Sequence, residues 1–108
     1  MTNPDNPVYL VTDEHGEPLG TFDPDLITTE GTRFAFDLAA VCDDPAAMQH
    51  VQRETLARVG SATFGYVAAS ALGVMAEHIL APTFEVCRVY GTDLQVAMAA
   101  IARGETPA

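Results

Sequence analysis

The stretch VGSATFGYVAASALGVMA, residues 59–76, carries no charge over 18 residues, and the reading of the whole fold turns on it. Three glycines stand at Gly60, Gly65 and Gly73. A glycine inside a helix costs about 1 kcal/mol against alanine, so three of them point to a packing reason. Ala57, Ser61, Gly65, Ala69 and Gly73 recur at every fourth position. On a helix they form one ridge of small side chains, which allows another helix to come close. The segment is therefore expected to be the central core helix, with the ridge as a helix-packing face and the seam of a homodimer. A membrane span needs about 20 mostly apolar residues. Only Phe64, Val67, Leu72, Val74 and Met75 are strongly apolar here and the flanks are amphipathic, which disfavours a span.

Working toward the N-terminus, Asp43-Asp44-Pro45 starts a helix: Asp can cap, and Pro fits the first turn. Met48, Val51, Leu56 and Val59 give its apolar side. The helix is expected to run on to Ala81, with Gly60 as the break if there are two helices and Pro82 as the stop. Beyond it, residues 82–90 fit a helix or a strand, and the helical flanks favour helix. Thr92 is expected to cap the last helix, with Asp93 in its first turn. Leu94, Met98 and Ile101 form its buried side, Arg103 complements its negative end and Gly104 terminates it.

The first third reads differently. Residues 8–13 (VYLVTD) and 18–22 have strand composition around the turn Glu14-His15-Gly16-Glu17, which is a hairpin signal. Asp23-Pro24-Asp25 breaks the pattern and residues 28–32 read as a polar loop. Arg33-Phe34-Ala35-Phe36-Asp37-Leu38 then alternates with period two, as a third strand would. The expected fold is α+β. One domain spans residues 8–103, with an antiparallel sheet over 8–38 packed against a helical half over 44–103. Residues 1–7 and 104–108 are tails without the basic start and apolar run of a signal peptide.

At 108 residues and 11.5 kDa there is room for one domain. Fifteen acids oppose five bases, for a net charge of -10. Residues 1–44 hold ten acids and one base, hence -9; residues 45–108 hold five acids and four bases, hence -1. The balance argues against autonomous binding to nucleic acid or to an anionic membrane, since both demand clustered Lys and Arg. Every base is Arg and Ala is abundant. Both residues have GC-rich codons, which suits a high-GC bacterial or phage genome. Cys42 and Cys87 have no CxxC spacing and read as reduced, buried thiols of a cytoplasmic protein.

Chemistry-bearing patterns are sparse. His50 and Glu54 stand at i, i+4, and Glu77 and His78 are adjacent. Neither the Glu-x-x-His pairs of di-iron bundles nor His-Glu-x-x-His occurs, so no metal ligands are assigned. Asp23-x-Asp25 lacks the remaining oxygens of a calcium loop. Ser61 and Ser70 have no G-x-S-x-G context, and no glycine loop is followed by Lys. Phe64, Tyr66 and Phe84 read as core rather than as a ligand pocket. No catalytic residue and no cofactor is assigned. The expected function is non-catalytic protein–protein interaction, as an accessory protein. The acidic set Asp13, Glu14, Glu17, Asp23 and Asp25 would meet a basic protein partner by electrostatic steering followed by apolar contact. The alternative is a homo-oligomeric assembly built on the small-residue ridge.

Overall fold

A computed structural model gives the fold. It describes residues 9–12 and 18–105, with side chains from residue 23 onward. Two short strands, β1 (Tyr9–Thr12) and β2 (Pro18–Phe22), pair antiparallel with Tyr9 opposite Phe22, and the register shifts between Val11 and Thr12.

The α+β expectation does not hold. From Pro24 onward every regular element is helical, and the three-stranded sheet over residues 8–38 is absent. Both the loop expected at 28–32 and the strand expected at 33–38 lie inside α1 (Pro24–Ala40). The start of α1 explains why. Asp23 is extended, and its carboxylate accepts from the backbone N–H groups of Asp25 (3.1 Å) and Leu26 (3.3 Å). Pro24 follows in the first turn, and Asp25 sits at the positive end of the helix dipole. Ile27, Gly31, Phe34 and Ala35 are buried, at intervals of four, three and one. That is one helical stripe. The period-two pattern of Phe34, Phe36 and Leu38 is shorter than this stripe, and Phe36 is exposed.

Helix α2 (Pro45–Val59) starts at Asp44, whose carboxylate accepts from the Ala47 N–H at 3.1 Å. Its one fully buried residue is Thr55, where Leu56 had been expected to face inward. The Thr55 hydroxyl donates to the Val51 carbonyl at 2.8 Å, so the buried polar group is satisfied within its own helix. Leu56 is exposed. Arg58 reaches back to α1: its Nε and Nη2 both donate to Oε2 of Glu30, at 2.9 and 2.8 Å.

Gly60 ends α2 and opens α3 (Ser61–Val74). Its φ of 86° suits glycine; its N–H donates to the Leu56 carbonyl and its own carbonyl accepts from the Phe64 N–H. Pro82 does not stop the helical run that follows. A π-helical turn (Met75–Leu80) leads into α4 (Ala81–Val89), which carries Pro82 in its first turn. Proline offers no N–H to the carbonyl four residues back, and the wider turn takes up the mismatch. The Thr83 hydroxyl donates to the Ile79 carbonyl at 2.6 Å within this region. Helix α5 (Leu94–Ala102) is capped by Asp93 rather than Thr92, its carboxylate accepting from the Val96 N–H at 3.1 Å. Gly104 follows with a φ of 76°.

The chain divides into two compact units, residues 1–75 and 76–108. In the first, α1 packs along α3, and α2 packs on both. The core is Ile27, Phe34, Ala35, Val67 and Ala71, with Phe34 and Phe64 rings 5.7 Å apart. Thus α3 is covered mainly by α1, with β2 also touching it. In the second unit α4 packs against α5.

The tightest point of the first unit is Gly31. A Cβ built there would lie 2.5 Å from Ser70 Oγ, 2.6 Å from Ser70 Cβ and 3.2 Å from the Ala71 backbone nitrogen. Overpacking of this kind costs about 1–3 kcal/mol, against about 1 kcal/mol of helix propensity gained by alanine. Gly31→Ala is therefore expected to lower the urea midpoint. Adding Ser70→Gly should recover part of the loss, a coupling that a double-mutant cycle reads directly.

Candidate functional site

The small-residue ridge lies in the open. Ala57, Ser61, Gly65, Ala69 and Gly73 are all exposed, and a Cβ added at Gly65 or Gly73 would meet nothing within 4 Å. The buried stripe of α3 is instead Val67 and Ala71, flanked by the half-buried Phe64, Ala68, Ser70 and Val74. The close helix approach expected of the ridge occurs elsewhere, at Gly31 of α1. What remains on the outer side of α3 is Ala62, Gly65, Ala69, Leu72 and Gly73, an uncharged face with Leu72 73% exposed. The helical run Ser61–Val89 is long and apolar enough, by length and composition, to cross a membrane.

Of the acidic set, Asp13, Glu14 and Glu17 lie outside the described residues. Asp23 is the N-cap of α1, and Asp25 is exposed in its first turn. Glu30, another acid of this segment, is held by Arg58 with only 13% of its side chain exposed. Asp25, Asp37, Asp43 and Asp44 are exposed, with Asp37 3.6 Å from Arg33 and Asp44 engaged as the cap of α2.

The polar residues weighed as metal ligands sit at the surface. His50 Nε2 lies 3.1 Å from Glu54 Oε1, and His78 Nε2 lies 3.9 Å from Glu77 Oε2, all four side chains being more than half exposed. Among the described residues no three His, Cys, Asp or Glu side chains gather closely enough to hold a metal ion. Cys42 is exposed and Cys87 half-buried, both free, so the expectation of two buried thiols holds for neither. Phe64 belongs to the core with Phe34, while Phe84 lies half-buried in the second unit, so the three aromatics do not line one pocket of the first unit.

A second uncovered surface was not anticipated. The π turn, α4 and α5 contain no fully buried residue. Val89 is 76% exposed and Tyr90 84%. Leu94, which was expected to be buried, is half-buried, while Met98 and Ile101 are exposed. The signal was in the sequence: α5 reads LQVAMAAIA, with Gln95 its only polar side chain. A helix apolar on all sides belongs in an interior, not on one face of a pair. No protein-family model matches the chain, and no curated protein or solved structure is significantly similar to it.

The two described carboxylates of the acidic set should separate by substitution. Asp23→Ala removes an N-cap and is expected to lower stability by about 1 kcal/mol. Asp25→Asn, at an exposed position beside the same cap, should cost only a few tenths through the helix dipole. Urea denaturation followed by circular dichroism reads both.

Proposed function

We propose that the protein is a non-catalytic interaction protein that works by occupying a protein partner's surface. The observation that carries this reading is the outer face of α3, uncharged and exposed over Ala62, Gly65, Ala69, Leu72 and Gly73. It belongs to the same unit as Asp25 and Asp37, and the first 44 residues of the sequence hold -9 of the net -10. The two features fit one sequence of events. The acidic segment attracts a basic partner over the range that salt permits, and the apolar face then makes the close contact. Glycine and alanine on that face let a partner helix approach the backbone.

A cytoplasmic setting goes with this reading. Helix α1 packs along α3 and carries Glu30, Arg33 and Asp37, which a bilayer would have to admit together with α3. The high-GC composition fits a bacterial or phage accessory protein.

A second reading has its own support. The same open space at Gly65 and Gly73 suits a symmetry mate, which would make the ridge a homo-oligomeric seam. Capture of partners from lysate of the source cell, at low and high salt, separates the two when paired with Gly65→Leu/Gly73→Leu. The interaction reading expects one stoichiometric basic partner, released by salt and lost in the variant, whose own mass by light scattering is unchanged. A variant that halves the mass moves the ridge to self-assembly. Capture that ignores both salt and the substitutions removes the interaction reading from this face.

A further inference from the structure

The interaction reading uses residues 1–75 and leaves the second unit without a role. We propose that α4 and α5 form a self-association element, seating against the same two helices of a second copy to make a four-helix bundle about a two-fold axis.

Three observations favour a second copy over other occupants. The first is size. The unit covers residues 76–108, and its helices bury no residue fully. Segments under about 40 residues need disulfides, a metal or oligomerisation to hold a fold. Cys87 is free, and among the described residues no side-chain cluster suits a metal. The second is area. Val86, Val89, Tyr90, Val96, Met98 and Ile101 stand between 46% and 84% exposed. Covering them would supply a large part of the roughly 800 Å² per partner that a stable interface takes.

The third is charge. Arg88 bonds Glu85 and also donates to Gln95 at 2.8 Å, which ties α4 to α5; Arg103 bonds Glu105. The cations of the pair are thus matched within it, and nothing in its field selects a strongly charged partner. Residues 76–108 hold four acids against two bases, a small net charge that lets two identical apolar faces meet. A bilayer does not fit α5, whose nine residues rise about 14 Å, half of a hydrocarbon core of about 30 Å, although α4 ends the longer run Ser61–Val89. In the bundle, α5 gains neighbours on the sides that α4 leaves bare, which is what a helix without a polar face requires.

The test is the mass of the full chain by light scattering and sedimentation equilibrium. The expected mass is twice 11.5 kDa, halved in Val89→Glu/Ile101→Glu with the helical circular dichroism of the first unit retained. Should that variant lose structure, the unaltered protein still decides. Amide exchange protection over residues 94–102 is expected to fall as the protein is diluted, while protection over 64–71 stays constant. A monomer at high micromolar concentration overturns the proposal. So does a dimer that survives Val89→Glu/Ile101→Glu but dissociates in Gly65→Leu/Gly73→Leu. Co-sedimentation of the chain with phosphatidylcholine vesicles, abolished by Val89→Glu/Ile101→Glu, would replace the second copy with lipid. Loss of partner capture with the dimer intact would count against the interaction reading alone.

Discussion

The first unit depends on how closely α1 can lie against α3. Gly31 admits Ser70 and the backbone at Ala71 where any other residue would hold the helices apart. That approach lets Val67 and Ala71 sink between the helices and brings the Phe34 ring to Phe64. It also fixes which side of α3 is left outside. With the Val67–Ala71 stripe turned inward, the small residues four apart are turned outward. Core and candidate surface are two consequences of one contact.

The polar groups follow from the same arrangement. Thr55 can be buried because its hydroxyl has a carbonyl to meet one turn back. Glu30 can lie mostly out of water because Arg58 offers it two N–H groups. Its carboxylate serves the join between α1 and α2, and Asp23 serves the start of α1. An excess of acids in the sequence is thus not the same quantity as an acidic surface. Part of that charge is used in holding helices together.

Much of the helical half could be read from residues alone. Asp44-Pro45, Gly60 and Gly104 mark boundaries through backbone chemistry that acts locally. The first third was misread because two signals compete in one segment. Phe34, Phe36 and Leu38 alternate like a strand, yet Asp23-Pro24 opens a helix by the same chemistry as Asp44-Pro45. The burial of Ile27 and Gly31 resolves the conflict, and it depends on a helix some 40 residues away in the chain, which local pattern does not reveal. Pro82 misleads for a related reason: a π turn can carry a helix past a proline, and no single residue announces it. The ridge was visible as a ridge. Whether it faces inward or outward was not, since Gly65 and Gly31 are equally small and only the partner helix distinguishes them.

The second unit carries a consequence for the life of the protein in a cell. A nine-residue helix such as α5 does not persist alone in water, because nucleating one is unfavourable and so few turns cannot offset it. If a second copy covers it, as proposed, its order rises and falls with the number of copies present, by mass action. Freshly made and scarce chains would expose this end to proteases and chaperones, whereas assembled ones would not. Abundance then becomes a control on the protein's own survival, written into a helix that has no side meant for water.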